Sequence, residues 1–350
     1  MKKKHLFLSA LFILLLINSI SIKGQDLYPL LQWNKTTPEK YGFNSNVLEE
    51  IRRHIAEKLN TTGMMIVVGG EVIFEYGDVQ NISYIASCRK SVLATMYGKY
   101  VEDGTIDLSK TVADLDLDDI GGLLAIEKTA TIKNILTARS GVYHDASNDG
   151  DDADARPPRG SKIPGEYFLY NNWDFNAAGE IFELLTQKNI YRAFYDDIAK
   201  NIGMQDFKLS NQKKGGNLSV SKYPAYHFYI STRDMARFAY LMLRNGRWED
   251  KQLVSPQWIK TITSVVTPFN EIVPDRRKDV LEYGYMWWLF KVDDNPAFEG
   301  AYTSKGMYGQ FMTVFPALDM VIAHKTDAGQ ERTPWKDYYQ LLTMIVAARL

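Results

Sequence analysis

The stretch Ala86-Ser87-Cys88-Arg89-Lys90-Ser91-Val92 decides how this chain reads. Apolar residues recur after it at Val92, Leu93, Met96, Tyr97 and Val101, a spacing that predicts an amphipathic helix ended by Asp103-Gly104. Residues three apart on a helix share a face, with about 5–6 Å between Cβ atoms, so Lys90 can fold back on the Ser87 hydroxyl. The first helical turn carries unpaired N–H groups and the positive end of the helix dipole. These disfavour a cation at Lys90 and favour negative charge developing at Ser87. The tetrad alone is not decisive, because a helix cap beside a solvated lysine has the same pattern. Two further copies, Ser210-Asn211-Gln212-Lys213 and Ser219-Val220-Ser221-Lys222, read as exposed loop around Lys213-Lys214-Gly215-Gly216.

Upstream, Met1-Lys2-Lys3-Lys4-His5 precedes an apolar run from Leu6 to Ile20 and a polar stretch ending at Gly24. That order of basic, apolar and small residues is expected of a secretory signal peptide over 1–24, giving a secreted or periplasmic protein. The apolar run is too short to span a bilayer comfortably, so no stable membrane insertion is expected after cleavage. Cys88 is the single cysteine, which rules out an intramolecular disulfide. With 41 basic and 42 acidic residues there is no electrostatic case for a nucleic-acid partner, and a small-molecule partner is expected.

Between that leader and Ser87, Asn44 or Ser45 caps a helix with Val47, Leu48, Ile51, Ile55 and Leu59 at helical spacing. Met64–Val68 and Glu71–Tyr76 around Gly69-Gly70 read as a hairpin. From Thr105 to about Val280 the pattern is helix and loop. Strand character returns at Tyr283–Phe290, Phe311–Phe315 and Met320–His324, before a helix that Pro334 starts. The expected architecture is therefore a sheet part over about 25–86 and 281–350, with a helical part over about 87–280. The acidic stretch 145–156 could hold a cation, but its spacing does not fit a calcium loop and it reads as solvated. No metal or cofactor is expected. Tyr170 and Asn172 lie two apart in what reads as extended chain, so phenol and amide could enter one pocket, with a helix starting near Asp174.

Three pieces thus occur in order: Ser87-x-x-Lys90, Tyr170-x-Asn172, and Thr303-Ser304-Lys305-Gly306-Met307-Tyr308-Gly309-Gln310 ahead of a strand. Together with Leu136–Val142, Pro164-Gly165 and Pro316, they resemble the penicillin-recognising serine hydrolases. The likeness is to the branch of class C β-lactamases, DD-peptidases, family VIII esterases and nylon-oligomer hydrolases. It implies an α/β (α+β) fold, an antiparallel sheet flanked by helices with a helical insertion, and a site in the groove between them. It also implies a serine hydrolase for an ester, amide or peptide-like substrate. Ser87 would be acylated, Lys90 and Tyr170 would share its proton, and Asn172 would hold Lys90 and the substrate. The N–H groups of Ser87 and Met307, after Gly306, would form the oxyanion hole.

The resemblance departs at Ser304, where the family usually places Lys or His two residues before the glycine. Ser304 is expected at that substrate-binding position, so strand alternation turns Lys305 away unless the strand slips by one residue or bulges, and carboxylate-bearing substrates lose a charged contact. Two alternatives stand beside this reading. Tyr302–Gly306 comes near a nucleophile elbow, with Asp319 and His324 downstream, but lacks its first glycine. The other is a binder: a β-lactam- or peptidoglycan-binding sensor that acylates at Ser87 and stays acylated, which would keep the same residues, or a non-catalytic binding protein.

Overall fold

The computed structural model describes residues 26–148, 150, 152–291 and 295–350. The expected leader over 1–24 lies outside the described residues, as do Asp149 and Asp151 of the acidic stretch. A seven-stranded, wholly antiparallel sheet forms from both ends of the chain. Its strands are β1 (Gly63–Val68), β2 (Glu71–Gly77), β3 (Leu281–Tyr283), β4 (Trp288–Phe290), β5 (Tyr302–Gly306), β6 (Gln310–Phe315) and β7 (Met320–Lys325). The spatial order is β2-β1-β7-β6-β5-β4-β3, so the N-terminal hairpin docks on the last strand and closes the fold.

The stretch 283–290, which reads as one strand, is two. Gly284 to Trp287 turn between β3 and β4, with Met286 at φ 58°. The segment ahead of Phe311, expected to lead into a strand, is itself β5, paired from Tyr302–Val314 to Gly306–Gln310.

Helices α1 (Ser45–Lys58) and α5 (Trp335–Ala347) cover one sheet face, where Phe311 stacks on Tyr338 with ring centroids 4.0 Å apart. The other face carries α2 (Cys88–Glu102) and α4 (Thr232–Leu243), with α3 (Asn172–Thr186) beside α2. The expected amphipathic α2 is instead buried nearly all round, Arg89, Lys90, Ser91 and Thr95 included. Its polar residues serve the interior. Gly98 is needed there, because a Cβ would come within 2.3 Å of the Trp258 ring, whose Nε1 donates to the Ala94 carbonyl at 2.9 Å. Within the expected helical part, α2 and α4 both pack back on the sheet. Among the described residues no helix is long and apolar enough to cross a membrane.

Candidate active site

Ser87 occupies the N-cap position of α2, after a short ribbon that pairs Ser83–Tyr84 with Tyr229–Ile230. Ala86 takes a left-handed conformation at φ 47°, uncommon for a residue with a Cβ, in the turn that presents the serine. Two contacts hold this turn against the sheet. Buried Lys325 of β7 donates to the carbonyls of Ser83, at 3.2 Å, and Ile230. The Cys88 thiol donates to the Gln310 carbonyl at 3.2 Å, and burial pushes that thiol up to about 12, so it remains protonated and packed away from the cleft.

Lys90 is 2% exposed, and its Nζ gathers the expected partners. It stands 3.0 Å from Ser87 Oγ, 2.9 Å from Tyr170 Oη and 2.8 Å from Asn172 Oδ1. The Asn172 Nδ2 donates to the Asn148 carbonyl at 2.9 Å, which fixes the amide so that its oxygen faces Lys90. Tyr170 is wedged among Phe175, Trp288 and Tyr283, with the Arg277 guanidinium 4.5 Å from its ring centre. Burial pushes its phenol up to about 12, with Arg277 and Ser87 opposing, so it is a phenol at neutral pH.

The helix that Tyr170 precedes starts two residues earlier than its sequence suggests. Asn171 is the cap, accepting from Trp173 N at 3.3 Å, and Asn172 is the first helical residue. Both side chains at 170 and 172 still reach the cleft, because only Asn171 between them is extended before the helix begins. The stretch 136–142 supports them: the Leu169 N–H donates to the Ala138 carbonyl at 3.0 Å, and Asn171 Nδ2 donates to the Val142 carbonyl at 2.6 Å.

These residues line a cleft of 630 Å³ with Gly306, Met307, Trp288 and Trp335. Gly306 has no room for a side chain, since a Cβ would sit 2.6 Å from the Ile85 carbonyl oxygen. That close approach brings the end of β5 against the Ser87 turn. Among the described residues neither the Ser87 N–H nor the Met307 N–H donates to a backbone or side-chain acceptor. Two free donors at one cleft are the makings of an oxyanion hole.

The expectation for Ser304 is overturned. Ser304 is fully buried beneath the cleft, where its hydroxyl accepts from Met312 N at 3.2 Å. Lys305 lines the cleft instead, its Nζ 4.1 Å from the Trp335 ring centre and 3.1 Å from Asp279 Oδ2. Alternation along β5 holds, but parity alone does not say which face meets the cleft. The face of Ser304 is roofed by α2, and the cleft opens on the face of Lys305.

The elbow alternative is also not assembled. His324 lies on the sheet face opposite Ser304, with Nε2 2.8 Å from Thr61 Oγ1 and Nδ1 2.8 Å from the Gly309 carbonyl oxygen. Ser210 and Ser219 are exposed, as expected. The described acids of 145–156 pair with arginines: Asp145 with Arg156, Asp152 with Arg276 and Arg277, and Asp154 with Arg276. Arg277, Asp279 and Trp335 were not singled out from the sequence. No motif marks them in the sequence.

The fold is shared with known proteins. An uncharacterized protein of Alkalihalophilus pseudofirmus is 22% identical over 251 residues, covering 64% of this chain and 66% of that one. The matched part is thus about two thirds of that relative's length. A family VIII carboxylesterase superposes with a TM-score of 0.65 at 13% identity, covering 91% of this chain and 99% of the other. A Bacillus anthracis structure named for 6-aminohexanoate-dimer hydrolysis gives 0.65 at 19% identity, covering 90% and 86%. A class C β-lactamase variant gives 0.61 at 11% identity, covering 87% and 97%. Residues 51–337, which hold the whole constellation, match the Beta-lactamase family, and the chain belongs to that family.

Proposed function

We propose that the protein is an exported serine hydrolase that cleaves an ester or amide through an acyl-enzyme on Ser87. The observation that carries this is the convergence on Lys90 Nζ of Ser87 Oγ, Tyr170 Oη and Asn172 Oδ1, all within 3.0 Å. In this reading Ser87 Oγ attacks the acyl carbon, and its proton passes to Lys90 as the neutral amine. The phenol of Tyr170, protonated at neutral pH, relays the proton to the leaving group. Charge on the acyl oxygen is met by the N–H groups of Ser87 and Met307. Water then attacks the acyl-enzyme by the same proton path in reverse. Export is supported by the basic, apolar and small-residue order of residues 1–24.

The test is steady-state hydrolysis of a short-chain p-nitrophenyl ester. Ser87→Ala is expected to lose at least about a thousandfold in kcat, whereas Ser304→Ala keeps most of its activity. Comparable losses in both would sink the assignment. A stoichiometric burst with no steady state would convert the enzyme reading into the acylated-sensor alternative.

A further inference from the structure

Arg89 lies between nucleophile and base in sequence and is as buried as Lys90, at 2% exposure. Among the described residues no carboxylate lies within ion-pair distance of its guanidinium. Its Nη2 donates to Asn176 Oδ1 at 3.0 Å, its Nη1 is buried without an acceptor, and the group sits 4.3 Å from the centre of the Tyr226 ring. A buried cation without an anion is costly, so its place one residue from the base calls for a reason.

Two features supply one. A chain of polar groups runs from Arg89 to Lys90. Asn176 turns its oxygen to Arg89 and donates through Nδ2 to Asn148 Oδ1 at 2.8 Å. The Asn148 carbonyl accepts from Asn172 Nδ2 at 2.9 Å, and Asn172 Oδ1 accepts from Lys90. Arginine can only donate, so Asn176 and the Asn148 side chain each have one allowed orientation, and Asn148 so held presents the main-chain carbonyl that orients Asn172.

The second feature is the charge itself. The ionisable groups around Arg89 are Tyr84, Tyr170, Tyr191, Tyr226 and His227. Those acting on Tyr170, beside Lys90, include Cys88, Arg277, Tyr226 and Tyr283. Glu183, which acts on Tyr191, is paired with Lys214, and the cleft acids Asp152 and Asp279 are paired with Arg277 and Lys305. The tyrosines, the thiol and His227 are neutral near pH 7, which leaves the Arg89 charge unopposed. A fixed positive charge favours the uncharged amine that a base requires, and favours negative charge forming on Ser87.

We propose that Arg89 is a positioning residue of the hydrolytic site, holding through Asn176 the Asn148 whose main-chain carbonyl orients Asn172, and supplying the fixed charge against which Lys90 acts as a base. This rests on the acyl-enzyme reading. The test is the pH profile of kcat/KM for a neutral p-nitrophenyl ester, beside the rate of Ser87 labelling by a fluorophosphonate. Arg89→Gln keeps a donor toward Asn176 and removes the charge. It should move the acid-side limb up by about one unit, roughly a tenfold loss below the limb. Arg89→Lys keeps the charge and should leave the limb in place while slowing labelling. An unmoved limb in folded Arg89→Gln overturns the proposal, as does a shift in Arg89→Lys equal to that in Arg89→Gln. Should Arg89→Gln lose its melting transition, Arg89→Lys decides alone: a limb in the wild-type position upholds the role and a displaced one overturns it. Absence of any labelling at Ser87 in the wild-type protein would instead remove the reading beneath it.

Discussion

Lys305 sets the charge of the cleft wall. Its Nζ lies 4.1 Å from the Trp335 ring centre and 5.0 Å from that of Trp288, and burial pulls it down to about 8 against the opposing pull of Asp279. It is therefore mostly an ammonium at neutral pH, in a cleft that Arg277 and Arg332 also line. Carboxylate-bearing substrates do not lack a charged contact here, contrary to what Ser304 suggests in the sequence. A charge-assisted hydrogen bond is worth about 1.5–3 kcal/mol, so Lys305→Met should cost about tenfold or more in kcat/KM for an anionic hemiester of a dicarboxylic acid. A neutral ester of the same length should change by less than about threefold. The advantage should fade as pH rises through about 8, where the ammonium loses its proton. Equal losses for both esters would reduce Lys305 to a spacer between two tryptophans.

The meeting of β5 with the start of α2 is the element-scale counterpart. Gly306 approaches the Ile85 carbonyl so closely that any side chain must push the strand end away from the Ser87 turn. Gly306→Val should lower kcat by about two to three decades through the lost oxyanion donor, with KM and the melting transition changed far less. A variant that loses stability in proportion to activity would contradict that. What was legible at this scale follows from local rules. The Ser87–Lys90 pairing follows from helical periodicity, and the hairpin Gly63–Gly77 from its Gly69-Gly70 turn. Asn172 was readable as a site residue, but the start of its helix was not, because adjacent asparagines offer two equally good capping groups and Asn171 takes the role. The break at Gly284–Trp287 was hidden by strand-forming aromatics, and Lys305 was misassigned because alternation fixes relative faces, not which face is covered. Arg89 carries no local signal at all. Its role depends on Asn148 and Asn176, which only the tertiary fold brings near.

For the molecule as a whole, closure of the sheet on β7 buries a histidine that catalysis does not use. His324 sits between Thr61 and the Gly309 carbonyl, and burial holds its imidazole down at about 4. Its ordinary value is about 6.5, so between those limits the unfolded chain binds a proton that the folded chain excludes. The stabilisation is complete above about pH 6.5 and is lost as pH falls toward 4, by about 3 kcal/mol. Urea midpoints measured from pH 7 to 4.5 should fall in the wild type and fall less in His324→Gln, while the activity limb of Lys90 stays where it was. Parallel declines would assign the acid sensitivity elsewhere.

Turnover as proposed passes through a covalent step at Ser87. Brief exposure to an ester substrate, acid quenching and mass mapping of the peptides tests it most directly. The expected result is the acyl mass on Ser87 alone, vanishing on longer incubation and absent in Ser87→Ala. An acyl group on Ser304, or turnover with no acylated peptide in a quench that captures the steady state, would contradict it.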